Sequence, residues 1–207
     1  MPLLHVSQHP LVKHKLSILR DVKTDHRQFR ELVREITLLL CYEATLDVTL
    51  SEREVTTPMG TAKGFQANET IGLVPIMRAG MGMMEGIMEL LPSVQVWHIG
   101  LFRDEKTLKP VEYYNRLPAA PTVQIAFVLD PMLATGGSAV ATVDIVKRWG
   151  VKNIKFLGLL GAPEGVQALS GAHPDVAIHL AALDERLNDI GFIVPGLGDA
   201  GDRMFGT

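Results

Sequence analysis

The sequence is short of several things, and each shortage excludes something. It has one cysteine, Cys41, so no internal disulfide can form and a reducing compartment is expected. It lacks a surplus of positive charge: 20 Lys and Arg against 23 Asp and Glu give a net charge of −3. A general nucleic-acid binder needs a basic surplus to neutralise phosphates, so no nucleic-acid partner is expected. No uncharged apolar run is long enough to cross a bilayer. "IGLVPIMRAGMGMM" comes nearest, and Arg78 interrupts it. The start, "MPLLHVSQHPLVKHK", lacks the pattern of a secretory signal. No membrane association and a cytoplasmic location are therefore expected. What the chain does have is 47% hydrophobic residues in 207, enough for the core of one sizeable domain or of two very small ones.

Along the chain, "DHRQFRELVREITLLLCYEA" places Phe29, Leu32, Val33, Ile36, Leu39 and Leu40 on one helical face, with Thr24 or Asp25 as N-cap. Residues 46–66 are rich in Thr and Val around a Pro-Met-Gly turn, which predicts a β-hairpin arm. An alternation of strands and helices follows. The strand segments are "IGLVPIM", "VQVWHIGLF", "VQIAFVLD", "NIKFLGLLGA" and "VAIHLAAL". The helix segments are "AGMGMMEGIMELL", "GGSAVATVDIVKRWG" and "PEGVQALSGA". "RDEKTLKPVEYYNRLPAAP" reads as a long polar loop, and the tail from Asn188 as too glycine-rich for a regular element. The alternation predicts an α/β fold with a mostly parallel sheet flanked by helices. Ligands of such sheets bind beyond the carboxyl ends of the strands, which singles out the loops after Val74, Phe102 and Leu129.

The loop after Leu129 carries the most chemistry. It runs Asp130-Pro131-Met132-Leu133-Ala134-Thr135-Gly136-Gly137-Ser138 and opens a helix. Small residues let backbone amides approach a ligand, and the helix adds its positive end, a combination that holds phosphate. Thr135 and Ser138 add hydroxyl donors. Asp130 would repel a phosphate but accepts hydrogen bonds from sugar hydroxyls, so the pair suits a ribose 5-phosphate. A merely structural strand-to-helix turn would use similar residues. There is no G-x-x-x-x-G-K-[ST] loop. "GLGDAG" (Gly196 to Gly201) matches G-x-G-x-x-G, but it stands so near the end that no following helix is expected, so a dinucleotide site is rejected. Cys41, beside apolar residues on the long helix, is expected to pack the core. The histidines show no metal-ligating spacing.

"VLDPMLATGGS" resembles the signature of type I phosphoribosyltransferases, which bind phosphoribosyl pyrophosphate (PRPP). With "HPLVKHKL", "YEAT", "VPIMRAGMGM", "APEG", "HPDV" and "IVPGLGDAGDRMFGT", in that order over nearly the whole chain, the resemblance narrows to the uracil phosphoribosyltransferase family. It implies a single domain over 1–207, with a β-arm at 46–66 and a base-binding hood at 184–207. It implies transfer of phosphoribosyl from PRPP to uracil, giving UMP and pyrophosphate in pyrimidine salvage. The residues so implied as catalytic are Asp130, Arg78 and Arg103. PRPP would lie against Arg78, Arg103, Asp130, Pro131, Met132, Leu133, Ala134, Thr135, Gly136, Gly137, Ser138 and Asp199. Uracil would lie against Ile193, Gly198, Asp199 and Ala200, read by exposed backbone, and the loop from Asp104 to Pro118 would close over both. Two adjacent acids are common in the wider signature. Here Pro131 follows Asp130, as in uracil enzymes, so Mg²⁺ is expected to arrive on PRPP, with few protein ligands. Some members of the family respond to GTP, and the hairpin arm and the apolar content predict a homodimer or higher homo-oligomer. A PRPP-sensing regulator of the same fold, or a transferase for a purine or orotate, is the alternative. Arg203 is the only basic residue near the hood to meet an orotate carboxylate.

Overall fold

The computed structural model describes residues 3–103 and 110–207, and for residues 101–103, 110–112 and 115 it describes the backbone alone. Strand β1 (Leu4–Val6) leads to helix α1 (Pro10–Arg20) and helix α2 (His26–Ala44). His9 caps α1, its Nδ1 accepting from the Leu11 amide at 3.2 Å, and Pro10 fills the first turn, where no amide is needed. Asp25 caps α2 by accepting from the Gln28 amide at 2.8 Å. Phe29, Leu32, Val33, Ile36 and Leu40 are buried as the helical spacing requires. Cys41 is buried among them, and loss of water pushes its thiol up to about 12. Iodoacetamide at pH 8 is therefore expected to leave the native protein unlabelled by mass; rapid labelling would contradict the packing.

The chain continues through β2 (Leu50–Thr57) and β3 (Gly60–Ala67), an antiparallel hairpin paired from Leu50↔Ala67 to Thr57↔Gly60. It carries the exposed apolar side chains Leu50, Met59 and Phe65. Then come β4 (Ile71–Pro75), α3 (Gly80–Leu90), β5 (Gln95–Val96), β6 (Ile99–Arg103), β7 (Pro110–Asn115), β8 (Ile125–Leu129), β9 (Met132–Leu133), α4 (Gly137–Trp149), β10 (Asn153–Gly161), α5 (Pro163–Ala172) and β11 (Ala177–Leu183). The C-terminal part holds β12 (Arg186–Leu187), β13 (Ile193–Val194) and α6 (Ala200–Phe205).

The main sheet has seven strands in the order β1-β11-β10-β8-β4-β5, with β9 also pairing with β10, and every pair is parallel. Its inner strands β4, β8, β10 and β11 are largely buried on both faces, while the edge strands β1 and β5 are only half-buried. Phe127 and Leu129 point to the layer of α1, α2 and α3, while Ala126 and Val128 point to that of α4 and α5. The chain leaves β4 toward β5 and returns to β8 on the other side, so the strand order reverses between β4 and β8. At such a switch the two following loops part and leave a crevice.

Three expectations need correction. The segment read as one strand, "VQVWHIGLF", is two, β5 and β6. Part of the segment read as loop is strand β7, which pairs antiparallel with β6. Its charged and proline-broken composition hid a ribbon that meets the end of β4 through the bridge between Ile76 and Ile99. A helix also forms in the glycine-rich tail: α6 begins at Ala200, inside "GLGDAG", because Asp199 caps it by accepting from the Asp202 amide at 2.9 Å. Residues 104–109 of the expected closing loop lie outside the described residues.

Candidate active site

The crevice between β4 and β8 opens into a cleft of about 330 Å³. Asp130, Met132 and Ala134 form one side, and Ala79 stands at the β4 side. The C-terminal segment forms the other wall through Gly191, Phe192, Ile193 and Gly198 to Gly201. A recess of about 150 Å³ adjoins it, sharing Asp130, Met132 and Ala134 and continuing through Leu133, Thr135, Gly136, Gly137, Ser138 and Ala139. Here the chain turns through Gly136 in the left-handed conformation (φ 80) and starts α4 at Gly137, so the first amides of the helix face the recess. Thr135 and Ser138 are exposed there. The loop's other groups are tied inward. The Pro131 carbonyl accepts from the amides of Leu159 and Leu160, at 3.1 and 2.9 Å, and that of Leu133 from Ala162 at 3.0 Å. Pro131 is buried and lies behind the cleft wall.

Asp130 is half-buried where cleft and recess meet, and one carboxylate oxygen accepts from the Met132 amide at 3.1 Å. Loss of water outweighs that hydrogen bond and pushes its carboxyl up to about 7. Arg78 sits beyond β4 at the lip. It is more than half exposed, and its Nη2 lies 3.4 Å from Asp202 Oδ1 on α6. Asp199 faces the cleft while capping α6. Arg103 ends β6, and its side chain is outside what is described.

The family model for uracil phosphoribosyltransferase matches residues 6–207. The chain belongs to the uracil phosphoribosyltransferase family. The uracil phosphoribosyltransferase of Roseiflexus castenholzii is 61% identical over 207 residues, covering 100% of both chains. The solved structure of the AQ2163 protein from Aquifex aeolicus is 38% identical with a TM-score of 0.92, covering 99% of this chain and 98% of that one. A hypoxanthine-guanine phosphoribosyltransferase from Bacillus anthracis, 13% identical with a TM-score of 0.52, covers 77% of this chain and 80% of its own and shares the fold.

Within this family frame, the cleft brings together Asp130, Met132, Leu133, Ala134, Thr135, Gly136, Gly137 and Ser138 with Ile193, Gly198, Asp199 and Ala200. Ala79, Gly191, Phe192 and Gly201 also line it. They lie in segments that the resemblance marked, yet none was named as a contact, since small and apolar residues carry no chemical signature of their own. The raised carboxyl of Asp130 has a consequence for stability. Its folded value, about 7, lies above the ordinary 3.8. Stability is therefore fully present below pH 4 and lost as pH rises toward 7, by on the order of a few kcal/mol. Asp130→Asn removes the ionisation. Its melting temperature, without substrate, is expected to gain on the wild type between pH 5 and 8. A difference that stays constant with pH would contradict this.

Proposed function

We infer that the protein transfers the phosphoribosyl group of PRPP to uracil, releasing pyrophosphate and forming UMP. Full-length identity to a uracil phosphoribosyltransferase carries this reading, and a phosphate-sized recess beside a backbone-lined cleft suits it. The 5′-phosphate takes the amides and hydroxyls of Ala134 to Ser138, and the ribose hydroxyls donate to Asp130. The pyrophosphate pairs with Arg78, whose guanidinium fork fits it, and with Arg103 from the end of β6. Uracil lies against Ile193 and the backbone of Gly198 to Ala200.

Among the described residues, no group of three or more His, Cys, Asp or Glu could hold a metal. Among the described residues that line the cleft, Asp130 and Asp199 are the only carboxylates, fewer oxygen ligands than a magnesium site built by the protein would need. Mg²⁺ is instead part of the PRPP that binds. When the C1–O bond to pyrophosphate breaks, the leaving group takes the electron pair and the ribose gains positive charge. The ionised Asp130 faces that charge while Arg78 and Arg103 meet the leaving anion. Uracil N1 then bonds to C1 from the opposite face, and its proton passes to water. No covalent enzyme intermediate forms. The hairpin β2–β3, with Leu50, Met59 and Phe65 exposed, serves as a contact between copies of the chain.

The test is product formation by the purified protein from PRPP, Mg²⁺ and each of uracil, cytosine, orotate, hypoxanthine and adenine. UMP from uracil alone is expected. Turnover of another base in preference to uracil would overturn the base assignment.

A further inference from the structure

The segment that leads into the wall facing the base holds Gly196 (φ 63) and Gly198 (φ 83), two glycines in the left-handed region separated by Leu197. Such a segment has much backbone freedom to lose, and a backbone edge that reads a base must be held to about 0.5 Å. What holds it lies outside the cleft. Asp184 follows β11, and its own amide donates to the Gly161 carbonyl at the end of β10, at 2.8 Å. Its carboxylate, 5% exposed, receives both terminal nitrogens of Arg20, at 2.7 and 2.5 Å. The same carboxylate accepts from the Gly196 amide at 2.8 Å, while Arg20 Nη1 donates to the Gly196 carbonyl at 2.8 Å. Both backbone polar groups of Gly196 are thus taken by one partly buried ion pair. A side chain there could not be tolerated, since its Cβ would stand 2.1 Å from the Ile193 carbonyl oxygen.

Leu197 is held from the same side. Its carbonyl accepts from Arg203 Nη1 at 2.9 Å. Arg203 Nη2 donates to the Asp21 carbonyl at 2.6 Å, and its guanidinium lies 4.6 Å over the Phe29 ring. Arg203 is therefore committed to the turn between α1 and α2 and does not face the cleft as a free cation for an orotate carboxylate. With the polar groups of Gly196 and the Leu197 carbonyl turned inward, the groups left to face the base are those from Gly198 onward.

We propose that Arg20, acting through Asp184 and together with Arg203, is a positioning residue that fixes the Gly196–Ala200 backbone and so sets affinity and selectivity for the base. This rests on the uracil reading given above. A lysine has one point charge and cannot span both carboxylate oxygens and the Gly196 carbonyl. Asparagine at 184 would lose the charge and half of the bidentate pair.

The test compares wild type, Arg20→Lys and Asp184→Asn. The KM for uracil is expected to rise about tenfold or more in both variants, as misplaced binding groups do. The KM for PRPP stays within about twofold, because the Ala134–Ser138 loop is untouched, and selectivity for uracil over cytosine narrows. A parallel rise of both KM values, or no change in either, would overturn the proposal. Amide hydrogen exchange reads the brace whichever base turns over. Faster exchange confined to residues 196–204, with residues 135–140 unchanged, is expected. Unchanged exchange at 196–204 would sink the brace itself. A wild type that ignores uracil yet shows this exchange pattern in its variants would instead refute the base assignment alone.

Discussion

Asp130→Asn lowers the turnover of UMP formation by roughly 10²–10³-fold, the scale of losing one preorganised electrostatic group. The argument starts from position. Asp130 follows the buried strand β8 at the strand-order reversal, where cleft and recess meet. It is held there by the Met132 amide at 3.1 Å. Asparagine can keep that hydrogen bond and nearly the same shape, so the substitution removes charge and little else. The charge matters when pyrophosphate leaves and the ribose becomes cationic. Since burial holds the carboxyl at about 7, the ionised form fades as pH falls below neutrality. Wild-type kcat/KM for PRPP is accordingly expected to drop on the acid side of about pH 7, and the asparagine variant to lose that limb. A variant with near wild-type turnover, or one that keeps the acid limb, would remove Asp130 from the chemistry.

Gly165→Ala is expected to raise the KM for PRPP by roughly 10–100-fold, the scale of an ångström-sized displacement of binding groups. Gly165 lies in the first turn of α5, which packs beneath the phosphate loop. A methyl group there would stand 2.4 Å from the carbonyl oxygens of both Leu133 and Ala134. Those are backbone atoms, so the loop or the helix must move rather than a flexible side chain. The same crowding should lower stability by about 1–3 kcal/mol. Steady-state kinetics and a thermal melt check both parts. A normal KM for PRPP would mean that the loop absorbs the shift without losing its amides' aim.

The parallel sheet was legible because each of its longer strands is a continuous apolar run followed by a helical pattern or a turn. "IAFVL" in β8 is buried at every position, as a strand covered on both faces must be. The recess was legible because Asp130, Thr135 and Gly136, which line it, stand together in sequence as well as in space. Strand β7 was hidden, since "VEYYN" carries charge and a proline precedes its valine. The helix α6 was hidden by the glycines in and around it, although Asp199 supplied a cap in plain view. The brace was not legible at all. Arg20 and Asp184 are 164 residues apart, and an arginine ending one helix or an aspartate after one strand announces nothing until the fold closes them into a pair.

The account stands most directly on where the two halves of UMP lie. A crystal structure of the protein with UMP is expected to place the 5′-phosphate on the amides of residues 135–138. The ribose hydroxyls should meet Asp130, and the uracil edge the backbone of residues 198–200. Phosphate bound away from the start of α4, or a base turned away from Gly198 to Ala200, would contradict it.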